Sequence, residues 1–293
     1  MVESVDRILL RATRADGSVG YGEVAPWPGF AMESADEALA VLRACEGDLA
    51  QLRSATRLRR LPCLASALAM IDRWAAIASF DGALPCAGLL YADAGPREAA
   101  AKAAEGWGVL KLKITPSSTV EAVRGILAAT PASVTLRIDA NASLTLVPAR
   151  AWVEFARGEP RVEFIEQPLP VDHAGYVSLG PEKVALDESF VHGRDAASWQ
   201  GAFVLKPGIV GDWDAGLALA RARRGRVVLS SCFETAIGRQ AALWFAAQAD
   251  TGRAVGFDTL GRFESDGRER HASGPLARAR ADIDWVRFWE EAA

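Results

Sequence analysis

Polar side chains suited to acid–base or metal chemistry recur close to the ends of successive strand-like runs in this sequence. Apart from one pair of lysines on a single run, neighbouring positions of the set are 19 to 27 residues apart, which is about the length of one strand plus one helix. The carboxyl ends of parallel barrel strands meet at one mouth, so this spacing predicts that the side chains converge there. The set consists of Lys111 and Lys113, Asp139, Glu166, Asp187, Lys206 and Ser230.

The three carboxylates of this set, Asp139, Glu166 and Asp187, indicate a metal site. Converging carboxylates repel one another, and a divalent cation would balance their charge. Hard oxygen ligands without histidine or cysteine favour Mg²⁺, with Mn²⁺ as a substitute, over zinc. The alternative interpretation is an ion-pair network that closes the mouth of the barrel without a metal.

The run 109–114, VLKLKI, alternates like a strand and therefore places Lys111 and Lys113 on one face. Its other face is leucine and isoleucine, which suits the helix-covered outside of a parallel barrel. We therefore expect both lysines to point inward. With Lys206 on the other side of the carboxylates in strand order, the set suits proton abstraction next to a substrate carboxylate, assisted by a metal ion.

The elements that must position these residues alternate from about residue 85 onward. Short apolar runs and alanine-rich helical stretches are typical of parallel strands joined by crossovers. Eight runs predict a closed α/β barrel, with a doubly wound open sheet as the alternative. The predicted strands are 84–90, 109–114, 134–139, 162–166, 184–188, 202–206, 227–230 and 254–257, and the predicted helices are 96–107, 118–130, 151–158, 214–225 and 235–249.

The first part of the chain has a different character. Residues 7–26 predict a β-hairpin that turns at Asp16 and Gly17, and helical stretches follow over 33–48 and 64–80. This is the pattern of an antiparallel α+β unit rather than of a barrel. The expected division is an α+β domain over 1–83, a barrel domain over 84–264 and a tail over about 265–293 that packs back on the first domain.

The bulk properties exclude several classes of function. The 293-residue chain has a formal net charge of −4 and a pI near 5.6, which gives no reason to expect a nucleic-acid or membrane partner. Its four cysteines form no CxxC pair, and its three histidines share no ligand spacing. The N-terminus has no signal-peptide pattern, and no apolar run approaches the ~18 residues of a membrane span. We therefore expect a cytoplasmic protein.

The motifs in their order along the chain resemble those of the enolase superfamily, in its muconate-lactonising subgroup and most of all in the o-succinylbenzoate synthase family. The resemblance rests on LKLKI, LRIDANASL, FIEQPLP, ALDES, VLKPGIVGD, SSCFETAIGRQAAL and GFDTLGRF, and on GYGEVAPWPGFAMES near the front. It implies a modified (β/α)7β TIM-like barrel with an N-terminal α+β capping domain. The capping domain is expected to be shortened, because the usual first strand is not recognised.

The resemblance also implies roles for individual residues. Lys113 matches the catalytic base, and Lys111 is expected to tune it. Lys206 matches a lysine on the other face of the substrate ring, where a cation–π contact stabilises the intermediate. The implied Mg²⁺ ligands are Asp139, Glu166 and Asp187.

Further residues are expected to support these groups or to bind substrate. Asn141 and Glu188 match positions that orient metal ligands, and Arg137, on the strand face of Asp139, is expected to support the site. The bland alternative for Ser230 and Ser231 is N-capping of the helix that follows. The expected substrate-binding residues are Ser230 and Ser231, near the succinyl carboxylate, and Gly29 and Phe30, in a loop that closes over the substrate.

The implied reaction acts on a small-molecule carboxylate. It is the syn dehydration of 2-succinyl-6-hydroxy-2,4-cyclohexadiene-1-carboxylate to o-succinylbenzoate, in menaquinone or phylloquinone biosynthesis. An N-acylamino acid racemase or dipeptide epimerase would keep the same ligands and use both lysines as an acid–base pair. Two further alternatives are a Schiff-base lyase with Lys206 as nucleophile and a non-catalytic barrel with an ion-pair network at its mouth.

Overall fold

The structure is a computed structural model that describes residues 5–28, 30, 33–192, 198–261 and 274–292. Its N-terminal part, from the first described residue to Ala78, is called the cap here. The cap begins with an antiparallel hairpin of β1 (Ile8–Thr13) and β2 (Val19–Val24). At the predicted turn Gly17 has a left-handed φ of 82°, and Ser18 N donates to Asp16 Oδ1 over 2.9 Å. Aspartate and glycine suit such a turn, and the predicted hairpin is confirmed.

The rest of the cap is helical, and both predicted helices are present. β2 lies close against the helix α3 (Pro62–Ala78), where a Cβ atom on Gly22 would lie 2.3 Å from the carbonyl oxygen of Ala67. Glycine therefore permits this approach of strand to helix. The helical turns over 49–60 are an addition that the sequence pattern does not indicate. The cap helices are α1 (Ala35–Ala44), α2 (Leu49–Ser54), the 3₁₀ turn Thr56–Arg60 and α3 (Pro62–Ala78).

A seven-stranded parallel sheet forms the main body, and its strands are adjacent in chain order. Helices connect them, as the alternating pattern predicts. The helix predicted over 151–158 begins earlier, at Leu146, and two short helices, Tyr176–Leu179 and Glu188–His192, are additions. The strands are β4 (Ala87–Leu90), β5 (Val109–Lys113), β6 (Thr135–Asp139), β7 (Val162–Glu166), β8 (Val184–Leu186), β9 (Ala202–Leu205) and β10 (Val227–Leu229). The helices are α4 (Pro96–Ala104), α5 (Val120–Ala129), α6 (Leu146–Gly158), α7 (Tyr176–Leu179), α8 (Glu188–His192), α9 (Trp213–Ala222) and α10 (Ala236–Ala249), with a 3₁₀ turn at Pro207–Ile209.

Residues 254–257 close this sheet into a ring. Single parallel bridges join Val255 to Cys86 beside β4 and Gly256 to Ser230 after β10. Val255 N donates to Pro85 O over 2.7 Å, and Gly256 N donates to Leu229 O over 2.8 Å. The segment thus occupies an eighth position between the two edge strands. The predicted (β/α)7β barrel is confirmed, and the doubly wound open sheet is wrong.

The two faces of each barrel strand have different surroundings. In β5 the leucines are buried against the helical layer, while both lysines are partly buried on the inner side. This confirms the inward orientation that the alternation predicts. The barrel interior is filled by its own apolar cluster, in which each buried valine or phenylalanine side chain contributes about 1.5–3 kcal/mol. That cluster consists of Phe164, Ala185, Val204 and Val228.

The C-terminal segment returns to the beginning of the barrel and to the cap. β11 (Leu276–Arg278) pairs antiparallel with β3 (Ala83–Pro85), and α11 (Trp285–Ala292) follows. Trp285 packs edge-on against Trp74 of α3, with 5.0 Å between ring centroids. The domain division near residue 83, the tail boundary near 265 and the expected shortening of the cap stay predictions. Within the described residues, no helix is long and apolar enough to cross a membrane.

Candidate active site

The strand ends bring most of the predicted residues to one mouth of the barrel. In the sheet register Lys113 is paired with Asp139, and Asp139 with Glu166. A cavity of about 250 Å³ lies there between barrel and cap. Glu166 lies beside it through its bond to Lys111, and Gly29 lies outside the described residues. The predicted residues that line the cavity are Lys111, Lys113, Asp139, Asn141, Asp187, Lys206, Ser230, Ser231 and Phe30.

Lysine ammonium groups lie among the carboxylates at this mouth. The Nζ atom of Lys111 is 2.9 Å from Asp139 Oδ2 and 2.7 Å from Glu166 Oε1. Lys113 Nζ is 3.3 Å from Asp139 Oδ2, and it donates to Asn141 Oδ1 over 3.0 Å. Alternating charges of this kind are needed to hold several ionised groups out of water.

Lys206 forms a second ion pair with Asp187 on the far side of the mouth. β6, β7 and β8 separate β5 from β9, so in a ring of eight positions Lys113 and Lys206 project from opposite sides. The Lys206 ammonium also lies over the ring of Phe30 from the cap, 4.0 Å from its centroid. The cavity therefore has one lysine on each side and the carboxylates between them.

The electrostatic balance of this cluster is incomplete. Burial and the neighbouring Asp139 charge raise the pKa of Glu166, although Lys111 opposes them. Burial would also raise the pKa of Asp139, but Lys111 and Lys113 reverse this and hold it below its usual range. Burial and the Asp187 charge raise the pKa of Glu188 to about 7. Acids therefore exceed the cations available to them at this end of the barrel.

The donor set fits a hard dication in type and position. Asp139, Glu166 and Asp187 are buried and project from neighbouring strands. As the side chains stand in the described ranges, no three acidic, histidine or cysteine side chains are drawn together closely enough to hold a metal. Lys111 instead bridges two of the carboxylates. The residues fit Mg²⁺ by chemistry and by strand, and side-chain rotation would be needed to gather their oxygens.

The residues predicted to support the site differ in what they contact. Asn141 has a left-handed φ of 44°, and its backbone N donates to Asp139 Oδ1 over 3.0 Å. Glu188 follows Asp187 directly, and its Oε2 atom is buried with no hydrogen-bond partner in the described part of the chain. Both residues therefore lie beside carboxylates of the site, Asn141 beside Asp139 and Glu188 beside Asp187, and their role in orienting metal ligands stays a prediction.

Arg137 makes its contacts deeper in the barrel. Its Nε atom donates to Glu163 over 3.0 Å and its Nη1 atom to the carbonyl of Ala254 over 2.8 Å. Arg253 donates to the same Glu163 over 2.6 Å. These bonds connect strands at the floor of the barrel rather than the carboxylates at its mouth.

Gln167 is a supporting residue that the sequence analysis did not single out, although it lies in the FIEQPLP motif. Its Oε1 atom accepts from the backbone N of Asp187 and of Ser189, over 3.0 Å in each case. Its side chain is fully buried, and its φ is 39°. Gln167 therefore orients the backbone that carries Asp187.

The two serines predicted to bind substrate already have partners. Ser230 Oγ donates to Gly256 O over 3.0 Å, and Ser231 Oγ donates to Glu234 Oε2 over 2.7 Å. Neither caps α10, because Glu23 of the cap accepts from the backbone N of Thr235 and of Gly238 over 2.9 Å at that helix start. The N-capping alternative for the serines is wrong.

Other residues line the cavity without having been singled out as site residues. The hydroxyl of Thr259 is buried and has no hydrogen-bond partner among the described residues. The signal available in the sequence was position: Thr259 follows the closing segment 254–257 within the GFDTLGRF motif. The unpredicted lining residues include Leu89, Tyr91, Phe233 and Thr259.

Comparison with known families agrees with this geometry. Residues 96–258 match the family model described as enolase C-terminal domain-like, which is more than half of the chain. The chain belongs to the enolase superfamily. The region of the match runs from α4 to the end of the closing segment, so it contains the three carboxylates and the three lysines of the mouth.

Relatives extend the similarity to nearly the whole chain. The o-succinylbenzoate synthase of Thermosynechococcus vestitus is 30% identical over an alignment 309 residues long, gaps included, that covers 97% of this chain and 90% of the relative. A relative of the same name from Salmonella arizonae is 29% identical, over 82% of this chain and 79% of its own. This superfamily member is an enzyme, and these relatives are lyases.

Solved structures give the same picture of the fold. The crystal structure of o-succinylbenzoate synthase from Thermosynechococcus elongatus BP-1, with Mg in its active site, has a TM-score of 0.78 and 27% identity, over 97% of this chain and 91% of that chain. The L-Ala-D/L-Glu epimerase of Bacillus subtilis has a TM-score of 0.70 and 18% identity, over 94% of this chain and 88% of that chain. The second likeness concerns the fold alone.

Proposed function

We propose that the protein is a Mg²⁺-dependent o-succinylbenzoate synthase of menaquinone or phylloquinone biosynthesis. It would convert 2-succinyl-6-hydroxy-2,4-cyclohexadiene-1-carboxylate to o-succinylbenzoate by syn dehydration. The observation that carries the proposal is the cavity in which Lys113 and Lys206 face each other across buried carboxylates. The relatives named o-succinylbenzoate synthase support this substrate over those of sister enzymes.

Asp139, Glu166 and Asp187 would hold the Mg²⁺ ion, for which Mn²⁺ could substitute. When bound, the ion would stabilise the negative charge that develops on the substrate carboxylate as the adjacent carbon loses its proton. Asn141 and Gln167 would keep two of the ligands in place. The backbone N of Asn141 donates to Asp139 Oδ1, and the backbone N of Asp187 donates to Gln167 Oε1. Lys111 would balance the remaining charge between Asp139 and Glu166.

Lys113 would carry the proton in both halves of the reaction. Its neutral Nζ atom takes the proton from the carbon next to the carboxylate, and the resulting ammonium group returns it to the departing hydroxyl, which leaves as water. Because one group serves both steps, the proton and the hydroxyl leave from the same face of the ring. Asn141 Oδ1, 3.0 Å from Nζ, helps to aim the side chain.

Lys206 would remain a cation on the opposite face of the ring. Its ammonium group lies over the π face of Phe30, which is the kind of contact that a substrate ring would make. Phe30 and Gly29 would cover the substrate from the cap. Ser230 and Ser231 would lie near the succinyl carboxylate, with the buried Thr259 hydroxyl as a further donor.

The test is a spectroscopic assay with the cyclohexadiene substrate, with and without Mg²⁺, beside an N-acylamino acid racemisation assay and a dipeptide epimerisation assay. The proposal expects metal-dependent dehydration. Turnover of only an amino acid substrate would favour the racemase or epimerase, whose acid–base pair would be the same two lysines. Borohydride trapping of an adduct on Lys206 would favour the Schiff-base lyase, and a lack of any turnover would leave the ion-pair barrel.

A further inference from the structure

A segment of the barrel mouth, residues 230–235, is held in an unfavourable conformation. This segment is called the mouth loop here. Phe233, at its centre, has a φ of 62°, in the left-handed region that a bulky side chain rarely adopts. Phe233 and Ser231 also line the active-site cavity. A strained residue at such a place persists only if its surroundings hold it there.

Part of the restraint comes from within the mouth loop. Glu234, which is almost fully buried, accepts from Cys232 N over 2.7 Å and from Ser231 Oγ over 2.7 Å. The same Ser231 hydroxyl accepts from the backbone N of Phe233 over 2.8 Å. These bonds satisfy the backbone donors of Cys232 and Phe233 and leave the carbonyl groups of the two residues to other partners.

The cap supplies the remaining restraint through an arginine and a glutamate. Arg7 Nη2 donates to the carbonyl oxygens of Cys232 and Phe233, over 3.2 and 3.3 Å. Glu23 accepts from Thr235 N over 2.9 Å and from Thr235 Oγ1 over 2.7 Å. Both side chains are mostly buried, with exposed fractions of 12% and 0%, and Arg7 Nε lies 3.8 Å from Glu23 Oε1.

An aromatic contact completes the connection. The ring of Trp27 lies on the ring of Phe233, with centroids 4.1 Å apart, and Arg7 lies over Trp27 at 5.9 Å. The cap thus contacts the loop at its carbonyl groups, at its end and at the side chain of Phe233. Hydrogen bonds to charged groups in buried surroundings are among the stronger ones in proteins.

We propose that Arg7 and Glu23 are positioning residues that fix the mouth loop and, through Phe233 and Ser231, set the wall of the substrate cavity. They touch no reacting group; they determine how closely the wall fits the end of the substrate that is remote from Lys113. This inference rests on the proposed function for the identity of the substrate, but the restraint itself does not. The cap would then contribute to specificity through the barrel loop as well as through its own loop at Phe30.

The experiment uses the full chain with the substitutions Arg7→Met and Glu23→Gln. Each has a matched control inside the cap: Arg14→Met, because Arg14 Nη2 donates to Ile71 O, and Glu33→Gln, because buried Glu33 accepts from Cys63 N and Leu64 N. Backbone hydrogen exchange of a peptide over 229–236 reports on the restraint. Steady-state kinetics with the cyclohexadiene substrate reports on how well the cavity wall fits the substrate.

We expect faster exchange of the mouth-loop peptide in Arg7→Met and Glu23→Gln than in the controls. We also expect KM to rise about tenfold while kcat changes much less, as suits the loss of a charged hydrogen bond that acts through a binding wall. Arg7→Lys, which keeps a donor, should restore part of the wild-type exchange and KM. If Arg7→Met does not fold, Arg7→Lys and Glu23→Gln decide the matter alone.

Several outcomes would overturn the proposal. Unchanged exchange, or an equal increase in the matched controls, would show that the cap does not hold the loop. Faster exchange with unchanged KM would show that the position of the mouth loop does not determine how the cavity wall fits the substrate. If the wild-type protein fails to turn over the cyclohexadiene substrate, the proposed function fails, and the exchange comparison still decides whether Arg7 and Glu23 position the loop.

Discussion

The barrel contains ion pairs at both of its ends, the floor and the mouth. The two ends differ in how completely positively charged side chains balance the carboxylates. At the floor a single acid, Glu163, receives bonds from Arg137, Arg253 and Thr135. Burial would raise the pKa of Glu163, but the two arginines reverse this and lower it. At the mouth the acids outnumber their partners, and the pKa of Glu166 is raised by burial and by Asp139.

This difference separates a structural network from a reactive one in the same barrel. A compensated carboxylate inside the barrel is costly to separate from its partners and has little charge left to offer a ligand. A group of carboxylates with too few positive partners is stabilised when it binds a cation or a substrate that carries one, and such groups are typical of functional sites. The following predictions test whether the floor serves stability and the mouth serves chemistry.

The largest effect is expected at Lys113. Replacing it with alanine removes the proposed base, so kcat should fall by about 10²–10⁴-fold, the usual range for loss of a general base. The melting temperature should change little, because Lys113 is among the less buried members of the ion-pair cluster. Lys183→Ala is the matched control, since that ammonium group donates to Val162 O rather than to the site. Undiminished dehydration in Lys113→Ala would remove the base from the mechanism.

A pair of glutamine substitutions compares floor and mouth directly. Glu163→Gln should lower the free energy of unfolding by about 3 kcal/mol, because the buried Arg137 and the partly exposed Arg253 then lose their acid. Its kcat should stay close to that of the wild type. Glu166→Gln should do the opposite, abolishing Mg²⁺-dependent turnover with a smaller loss of stability. Urea unfolding without metal and the dehydration assay measure the two quantities, and a loss of stability that is larger in Glu166→Gln would contradict the comparison.

The mouth could be predicted from the sequence far better than the floor. Strand alternation settles which face Lys111 and Lys113 occupy, and the spacing of Asp139, Glu166 and Asp187 brings them to one rim. Alternation does not give the depth of a side chain along the barrel axis. Arg137 shares a face with Asp139 yet bonds to Glu163, because the residue two positions earlier on a strand lies one layer deeper.

Contacts between distant segments could not be predicted either. The partners of Arg7 and of Glu23 are decided by how the cap packs on the barrel, and no local pattern encodes that arrangement. The helical turns over 49–60 were missed for a similar reason, since such short helices depend on tertiary packing more than on propensity. Thr259 was missed because a single hydroxyl carries no periodic signal.

Mg²⁺ should stabilise the mouth and not the floor. At a concentration about 100 times its dissociation constant, the ion should raise the free energy of unfolding by about 2.7 kcal/mol. Asp187→Asn should lose most of this increment, while Glu163→Gln should keep it despite a lower starting stability. Thermal melts with Mg²⁺ and with EDTA measure the increment. An equal increment in wild type and Asp187→Asn would mean that the ion binds elsewhere.

The smallest effect concerns pH, and it has opposite signs at the two ends of the barrel. Burial and the Asp187 charge raise the pKa of Glu188 from 4.5 to about 7, so the folded protein without metal holds a proton that the unfolded chain has lost. The free energy of unfolding should therefore fall by about 1–2 kcal/mol as pH rises from about 5 to 7, and Glu188→Gln should reduce that fall. The lowered pKa of Glu163 works the other way: its contribution is present above its unfolded value and is lost as pH falls through its folded value. Glu163→Gln should accordingly change the profile below about pH 4.5 and leave the slope between 5 and 7 intact. Urea unfolding in EDTA across this range measures both slopes, and an unchanged fall in Glu188→Gln would show that the mouth is better compensated than its geometry indicates.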